Sequence, residues 1–265
     1  MSTRRGLLMQ VGVLGLGEAG SLFAADLAAL GVRVLGFDPA DVATPPGVER
    51  CAVPSDAVCD VDLVLALTAA CDARAALVQG IDDMPAGQLY ADLSTSAPSL
   101  KRELAEIAAT RGVGYVDVAL VAVVPGNGLR TPAIASGPSA TRYANALSPF
   151  GVPIESIDGE VGDAITRKLL RSVMMKGLAA VIGEAMRAAE EADLAEWLWR
   201  NIVDEISAAD ERLVARLVDG TARHARRRLE EMQASEDLLA SLGIEPVMTS
   251  ATVRSLQQVA SGHPS

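Results

Sequence analysis

The residues of this 265-residue chain best suited to chemistry begin with Gly15-Leu16-Gly17-Glu18-Ala19-Gly20. This GxGxxG run follows an apolar stretch, 7–14, and opens a helical pattern. Gly15 would permit a tight turn, Gly17 would let backbone approach a phosphate, and Gly20 would let helix and strand pack closely. A helix N-terminus behind such a turn offers amide donors and a favourable dipole to an anion. About twenty residues on, where this fingerprint places an acid for ribose hydroxyls, a second apolar run ends at Asp38. Pro39, Ala40 and Asp41 follow, with no Arg or Lys among them to receive a 2′-phosphate. The pattern fits a dinucleotide, with NAD favoured over NADP.

Lys168 is the second candidate. It lies in 159–192, where Ile165, Leu169, Val173, Leu178, Ile182 and Ala185 give the spacing of one long helix. Ala164, Lys168, Arg171, Ser172 and Met175 then share a side. Hydride transfer from an alcohol carbon to a nicotinamide leaves a proton on oxygen that a placed amine can take. In the reductive direction an ammonium returns it. A free lysine, with pKa near ~10.4, is too basic for this around neutrality. Partial burial and the charges of Arg167 and Arg171 would lower it. Lys176 is the rival base, and a solvated surface lysine is the competing reading of Lys168 taken alone. His224 with Arg223, Arg226, Arg227 and Arg228 forms a basic cluster. It reads either as a receiver of an anionic substrate group or as a solvated face paired with Glu230 and Glu231. Trp197 and Trp199 read as core or interface anchors, and Asp92 and Asp117 as structural.

These residues need elements to position them. In 1–157, short apolar runs at 7–14, 32–37, 62–67, 89–93, 113–120 and 133–136 alternate with helical patterns at 18–30, 98–111 and 139–147. The first helix would bury Ala19, Leu22, Phe23, Leu27 and Leu30. Runs that are apolar throughout suit strands covered on both faces, so the fold class is α/β: a Rossmann-type, doubly wound parallel sheet. In 158–265 the strand signal ends and an all-helical domain is expected. Its helices are placed at 159–192, 195–218 and 221–242, with Gly220 and Gly243 as stops and a frayed polar tail after 242.

Composition narrows the function classes. Asp plus Glu is 34 against 23 for Lys plus Arg, a formal net charge of −11. That balance does not suit nucleic acid or an anionic membrane. Aromatic residues at 3% leave little for base stacking. The three cysteines, Cys51, Cys59 and Cys71, lack metal-ligand spacing and read as buried reduced thiols of a cytoplasmic protein. The arginine pair Arg4-Arg5 before an apolar run resembles a targeting signal, but cleavage there would remove the glycine motif. The N-terminus is therefore read as mature and cytoplasmic.

With these residues in view, the chain resembles the β-hydroxyacid dehydrogenases, the superfamily of 3-hydroxyisobutyrate and 6-phosphogluconate dehydrogenases. The resemblance is carried in order by Leu14-Gly15-Leu16-Gly17-Glu18-Ala19-Gly20, by Asp92-Leu93-Ser94-Thr95-Ser96-Ala97-Pro98, and by Gly159-Glu160-Val161-Gly162-Asp163-Ala164-Ile165-Thr166-Arg167-Lys168. The segment from Lys168 to Gly177 and His224-Ala225-Arg226-Arg227-Arg228 are similar to a bacterial branch whose helical domain has no known function. The resemblance implies Lys168 as acid/base, with Ser94 and Thr95 beside nicotinamide and substrate. It also implies a cofactor-lining turn at Leu67-Thr68-Ala69 and a homodimer formed through the helical domain.

Two departures bear on substrate identity. Where the family has Ser-Gly-Gly to receive a carboxylate, this chain has Val121, Ala122 and Val123, and the family's asparagine after the lysine is Ser172. The expected activity is interconversion of a hydroxy and a keto group on a small, anionic metabolite. An imine reductase and a non-catalytic dinucleotide sensor are the alternatives.

Overall fold

The structure, a computed structural model, describes residues 9–262. Leu7 and Leu8 of the expected first strand, the Arg4-Arg5 pair and the last residues of the polar tail lie outside that range. Eight strands form one sheet: β1 (Gln10–Leu14), β2 (Arg33–Phe37), β3 (Val48–Arg50), β4 (Leu63–Ala66), β5 (Leu89–Asp92), β6 (Gly114–Leu120), β7 (Ala133–Ser136) and β8 (Ile154–Ser156). Their order across the sheet is β3-β2-β1-β4-β5-β6-β7-β8. The chain steps outward from β1 to β3, then returns to lay β4 on the other side of β1. Ligands of such sheets bind where the direction of winding reverses, at the carboxyl ends of the strands. Here β1 pairs in parallel with both β2 and β4, bringing Leu14 opposite Phe37 and Ala66. All pairings are parallel except β6 with β7, which is antiparallel.

Alternate residues of the central strands feed two cores. Val11, Val13, Leu63 and Leu65 pack with Phe23 and Leu27 of α1 (Glu18–Ala29) and Tyr143 and Leu147 of α4 (Ala140–Leu147). Leu14, Val64 and Ala66 pack with Leu77 of α2 (Ala73–Gly80) and Leu104 of α3 (Pro98–Thr110). The doubly wound α/β arrangement is thus present, and it explains why the strand sequences are apolar throughout. In α1 the buried face is Gly20, Phe23, Ala24 and Leu27, while Leu30 lies past the last turn and is exposed.

Several elements differ from the sequence expectations. β3 and β8 are three residues each, with polar Glu49, Arg50, Glu155 and Ser156, too short for a pattern to show. α2 is only eight residues long and starts without a side-chain cap. The long helix α5 (Asp163–Glu191) is present, and α6 (Ala195–Ser207), α7 (Glu211–Ser241) and α8 (Val247–Ala260) follow. Gly220 does not stop a helix; it lies inside α7, because one helical glycine costs only about 1 kcal/mol. The break falls earlier, where the Asp210 side chain caps α7 by accepting from the Leu213 amide at 3.1 Å. His224 has non-helical dihedrals and kinks α7.

Within the tail beyond 242, Val247–Ala260 is not frayed but forms α8, which buries Val253 and Leu256. Pro246 sits just ahead of its first turn, where no amide donor is missed. Buried Glu184 accepts from the Met248 and Thr249 amides at 2.7 and 2.8 Å and so holds the start of α8. Burial pushes its carboxyl pKa up, but the hydrogen bonds from Thr249 and Met248 outweigh this and hold it below the usual value. Of the cysteines only Cys51 is buried, Cys71 is exposed, and all three are free thiols.

The described residues form two compact units that divide between Arg171 and Ser172, so the first turns of α5 belong with the sheet. Among the described residues no helix is long and apolar enough to cross a membrane, and no cluster of His, Cys, Asp or Glu could hold a metal ion.

Candidate functional site

The glycine turn follows β1 directly. Gly15 has φ +95°, and a Cβ there would sit 2.5 Å from the Leu67 carbonyl oxygen, so both backbone and space demand glycine. A Cβ on Gly20 would lie 1.9 Å from the Gly15 carbonyl oxygen, which keeps α1 close against the turn. A Cβ on Gly17 would meet nothing within 4 Å: that position opens onto free space at the N-terminus of α1. Beside it lies a cavity of about 350 Å³ lined in part by Gly15, Gly17, Asp38, Thr68 and Ala69. It opens at the carboxyl ends of β1, β2 and β4, where the winding reverses.

Asp38 ends β2 and faces the turn. Its Oδ2 accepts the Leu16 amide at 2.7 Å and its Oδ1 the Ala40 amide at 2.8 Å. Each carboxylate oxygen keeps further accepting capacity for a hydroxyl. Leu16 therefore spends its N–H on Asp38 and buries its side chain. Glu18 is exposed and Ala19 half-buried in the first turn of α1. Thr68 lines the cavity, and its buried Oγ1 has no hydrogen-bond partner among the described residues. A buried hydroxyl without a partner is costly, and a polar ligand group would relieve it. An open glycine amide turn, a carboxylate at the end of β2 and an orphaned hydroxyl fit a dinucleotide.

One residue of this region leaves no trace in the local sequence pattern. Arg50 reaches over from β3 and its Nη2 donates to the carbonyls of Asp38 at 2.7 Å and Ala40 at 2.9 Å. It holds the loop after β2 from the neighbouring strand, and only the β2–β3 pairing reveals it.

Two strands along the sheet, β5 ends in the Ser94-Thr95-Ser96 loop. Ser94 is buried, its amide donating to Asp92 Oδ1 at 2.8 Å and its hydroxyl lying 2.7 Å from Ser96 Oγ. Thr95 is exposed, and Lys168 Nζ donates to its Oγ1 at 3.1 Å. Lys168 is half-buried in the first turns of α5, on the same side as buried Ala164 and exposed Arg171. The structure thus brings Lys168 to Thr95, with Ser94 turned away beneath them. Half-buried Val121 donates its amide to the Pro132 carbonyl at 2.9 Å, and Ala122 is exposed. Neither carries a polar side chain for a carboxylate.

Other candidates belong to the second unit. Ser172 is half-buried at its start, and Lys176 is exposed. Trp197 and Trp199 are exposed rather than core residues. Arg227 pairs with Glu231 at 3.6 Å, as a solvated face would. Arg228 donates to Thr221 Oγ1 across the His224 kink.

Comparison with known proteins bears on the family and the fold. The family model for the NAD binding domain of 6-phosphogluconate dehydrogenase matches residues 10–143, and a domain of unknown function (DUF1932) matches 189–259. An uncharacterized 28.5 kDa protein of Methanothermus fervidus is 30% identical over 62% of this chain and 63% of its own length. The 2-(hydroxymethyl)glutarate dehydrogenase of Eubacterium barkeri is 27% identical over 67% of this chain and 62% of its own. The match therefore spans less than two thirds of either relative. In fold, an imine reductase from Myxococcus stipitatus in complex with NADP+ superposes with a TM-score of 0.82 at 16% identity, covering 96% of this chain and 95% of that one. The chain belongs to the family of the 6-phosphogluconate dehydrogenase NAD-binding domain.

Proposed function

We propose that this family member is a dehydrogenase or reductase that interconverts a hydroxy and a keto group on a small, anionic metabolite, with NAD as preferred cofactor. The observation that carries the reading is the 3.1 Å contact of Lys168 Nζ with Thr95 Oγ1, at the carboxyl end of the strands, where the glycine turn also lies. Nicotinamide, when bound, supplies the hydride acceptor or donor. The open face of Gly17 would receive the pyrophosphate, Asp38 the adenosine ribose, and Thr68 Oγ1 a polar group of the cofactor. The preference for NAD is supported by Asp38, whose carboxylate would repel a 2′-phosphate, and by Arg50, whose Nη2 is already held by two carbonyls.

The chain's own contribution to the reaction is proton transfer. In the oxidative direction the substrate O–H proton passes to Lys168 Nζ as the carbon gives up its hydride. In reduction the ammonium returns it. Thr95 Oγ1 accepts from the amine and holds it at the substrate's edge of the site. Val121 and Ala122 offer a small, apolar wall where the family has its carboxylate-binding Ser-Gly-Gly.

The test is Lys168→Ala, assayed against a panel of small hydroxy acids with NAD. Turnover should fall by roughly 10²-fold or more, the usual worth of a general acid or base, while NADH affinity stays within about twofold. A variant that keeps its turnover removes Lys168 from the chemistry.

A further inference from the structure

Beneath the Thr95–Lys168 contact lies a buried charged cluster that proton transfer does not use. Lys101 of α3 is fully buried, as is Asp117 of β6, and Asp92 at the end of β5 is 1% exposed. Lys101 is one of only three lysines in the chain, with Lys168 and Lys176. Its Nζ donates to the Asp92 carbonyl oxygen at 2.8 Å and lies 3.7 Å from Asp92 Oδ1. It also lies 2.9 Å from Asp117 Oδ1, which has no aligned hydrogen bond among the described residues, so charge rather than geometry holds that pair.

Each carboxylate also serves a different half of the site. Asp92 Oδ1 accepts the Ser94 amide at 2.8 Å, fixing the loop that presents Thr95, and its Oδ2 accepts from Tyr115 at 2.5 Å. Asp117 Oδ2 accepts the amides of Gly162 at 3.1 Å and Ile165 at 3.0 Å, which hold the start of α5. Ser136 of β7 completes this grip, its Oγ donating to Asp117 Oδ2 at 3.2 Å and accepting the Ala164 amide at 3.0 Å. Lys168 stands one turn further along the same helix. The unscreened carboxylates are balanced by the ammonium and by the positive end of α5.

We propose that Lys101 and Asp117 are positioning residues: one buried ammonium ties the Thr95 loop and the Lys168 helix together and so sets the Lys168–Thr95 separation. Neither touches substrate or cofactor. The inference rests on reading Lys168 as the acid/base, but its test does not need turnover. Because there are only three lysines, ¹³C-lysine labelling gives three sets of ε-carbon signals. The Lys168→Ala and Lys176→Ala spectra assign them.

The measurement compares the Lys168 signal in wild type, Lys101→Met, Asp117→Asn and Leu104→Ala. Leu104 is equally buried on α3 but packs in the apolar core, so its truncation controls for general destabilisation. The Lys168 resonance should move by more than its line width in Lys101→Met and Asp117→Asn and stay in place in Leu104→Ala. If Lys101→Met does not fold, Asp117→Asn carries the test, since its amide side chain keeps an acceptor oxygen for the α5 amides. An unmoved Lys168 signal in the folded network variants, or an equal displacement in Leu104→Ala, overturns the proposal. A wild-type chain that turned over no hydroxy acid would remove the acid/base reading and leave this comparison standing.

Discussion

At Thr68 a single hydroxyl separates the needs of the unliganded fold from those of binding. A buried hydroxyl without a partner costs about 1–3 kcal/mol, and Thr68 Oγ1 has none among the described residues. Thr68→Val is therefore expected to leave the thermal midpoint of the unliganded chain unchanged or to raise it. The same variant should weaken NADH binding by roughly 2–10-fold, the worth of one net hydrogen bond of 0.5–1.5 kcal/mol. A chain destabilised by valine that binds NADH as wild type does would contradict a cofactor-facing Thr68. Sequence alone singles out Asp38 and Lys168 as candidates, because the fingerprint fixes the distance of one from the glycines and the motif order marks the other. Arg50 and the Lys101 cluster stay hidden: their partners come from different strands and helices, and no local spacing links them. Ser94 and Thr95 are adjacent in sequence, and only the fold shows that one is buried against Ser96 while the other meets Lys168.

Between elements, the glycines of the turn after β1 divide by what stands opposite them. Gly20 seats α1 on the turn, with 1.9 Å of room for a Cβ against backbone, whereas Gly17 faces open space. Gly20→Ala should destabilise the chain by about 1–3 kcal/mol, as forced overpacking does, read as a lower midpoint in urea. Gly17→Ala should leave that midpoint nearly unchanged and weaken NADH binding by roughly 10-fold or more, because the methyl enters the path a pyrophosphate takes to the backbone. Equal stability losses in the two variants would show that Gly17 is structural too. Fully apolar strands such as β4 declare themselves in sequence. β3 and β8 do not, being three-residue strands with polar side chains. α8 is concealed by the proline before it, and its start is held by Glu184, which lies far away in the chain. In α7 the break is displaced rather than absent: the helix runs through Gly220 and loses its helical dihedrals four residues later, at His224.

Across the whole molecule, the second unit leaves several large apolar side chains exposed. Val173 is 74% and Met174 57% exposed on α5, and Trp197 and Trp199 are exposed on α6. Such surface on one chain marks an association site, and we propose that a second copy of this chain covers it. Sedimentation should give a species of twice the 27.5 kDa chain mass, and a monomer at micromolar concentration would count against that partner. Neither the net charge of −11 nor the fold of the family distinguishes the two nicotinamide cofactors. That distinction rests on Asp38 and its neighbours, so it is the most direct test of the account. The measurement is a fluorescence titration of the purified chain with NADH and with NADPH. The account predicts binding of NADH at least about tenfold tighter, since repulsion and lost ribose hydrogen bonds are together worth upwards of ~1.4 kcal/mol. A preference for NADPH, or no binding of either, would contradict it.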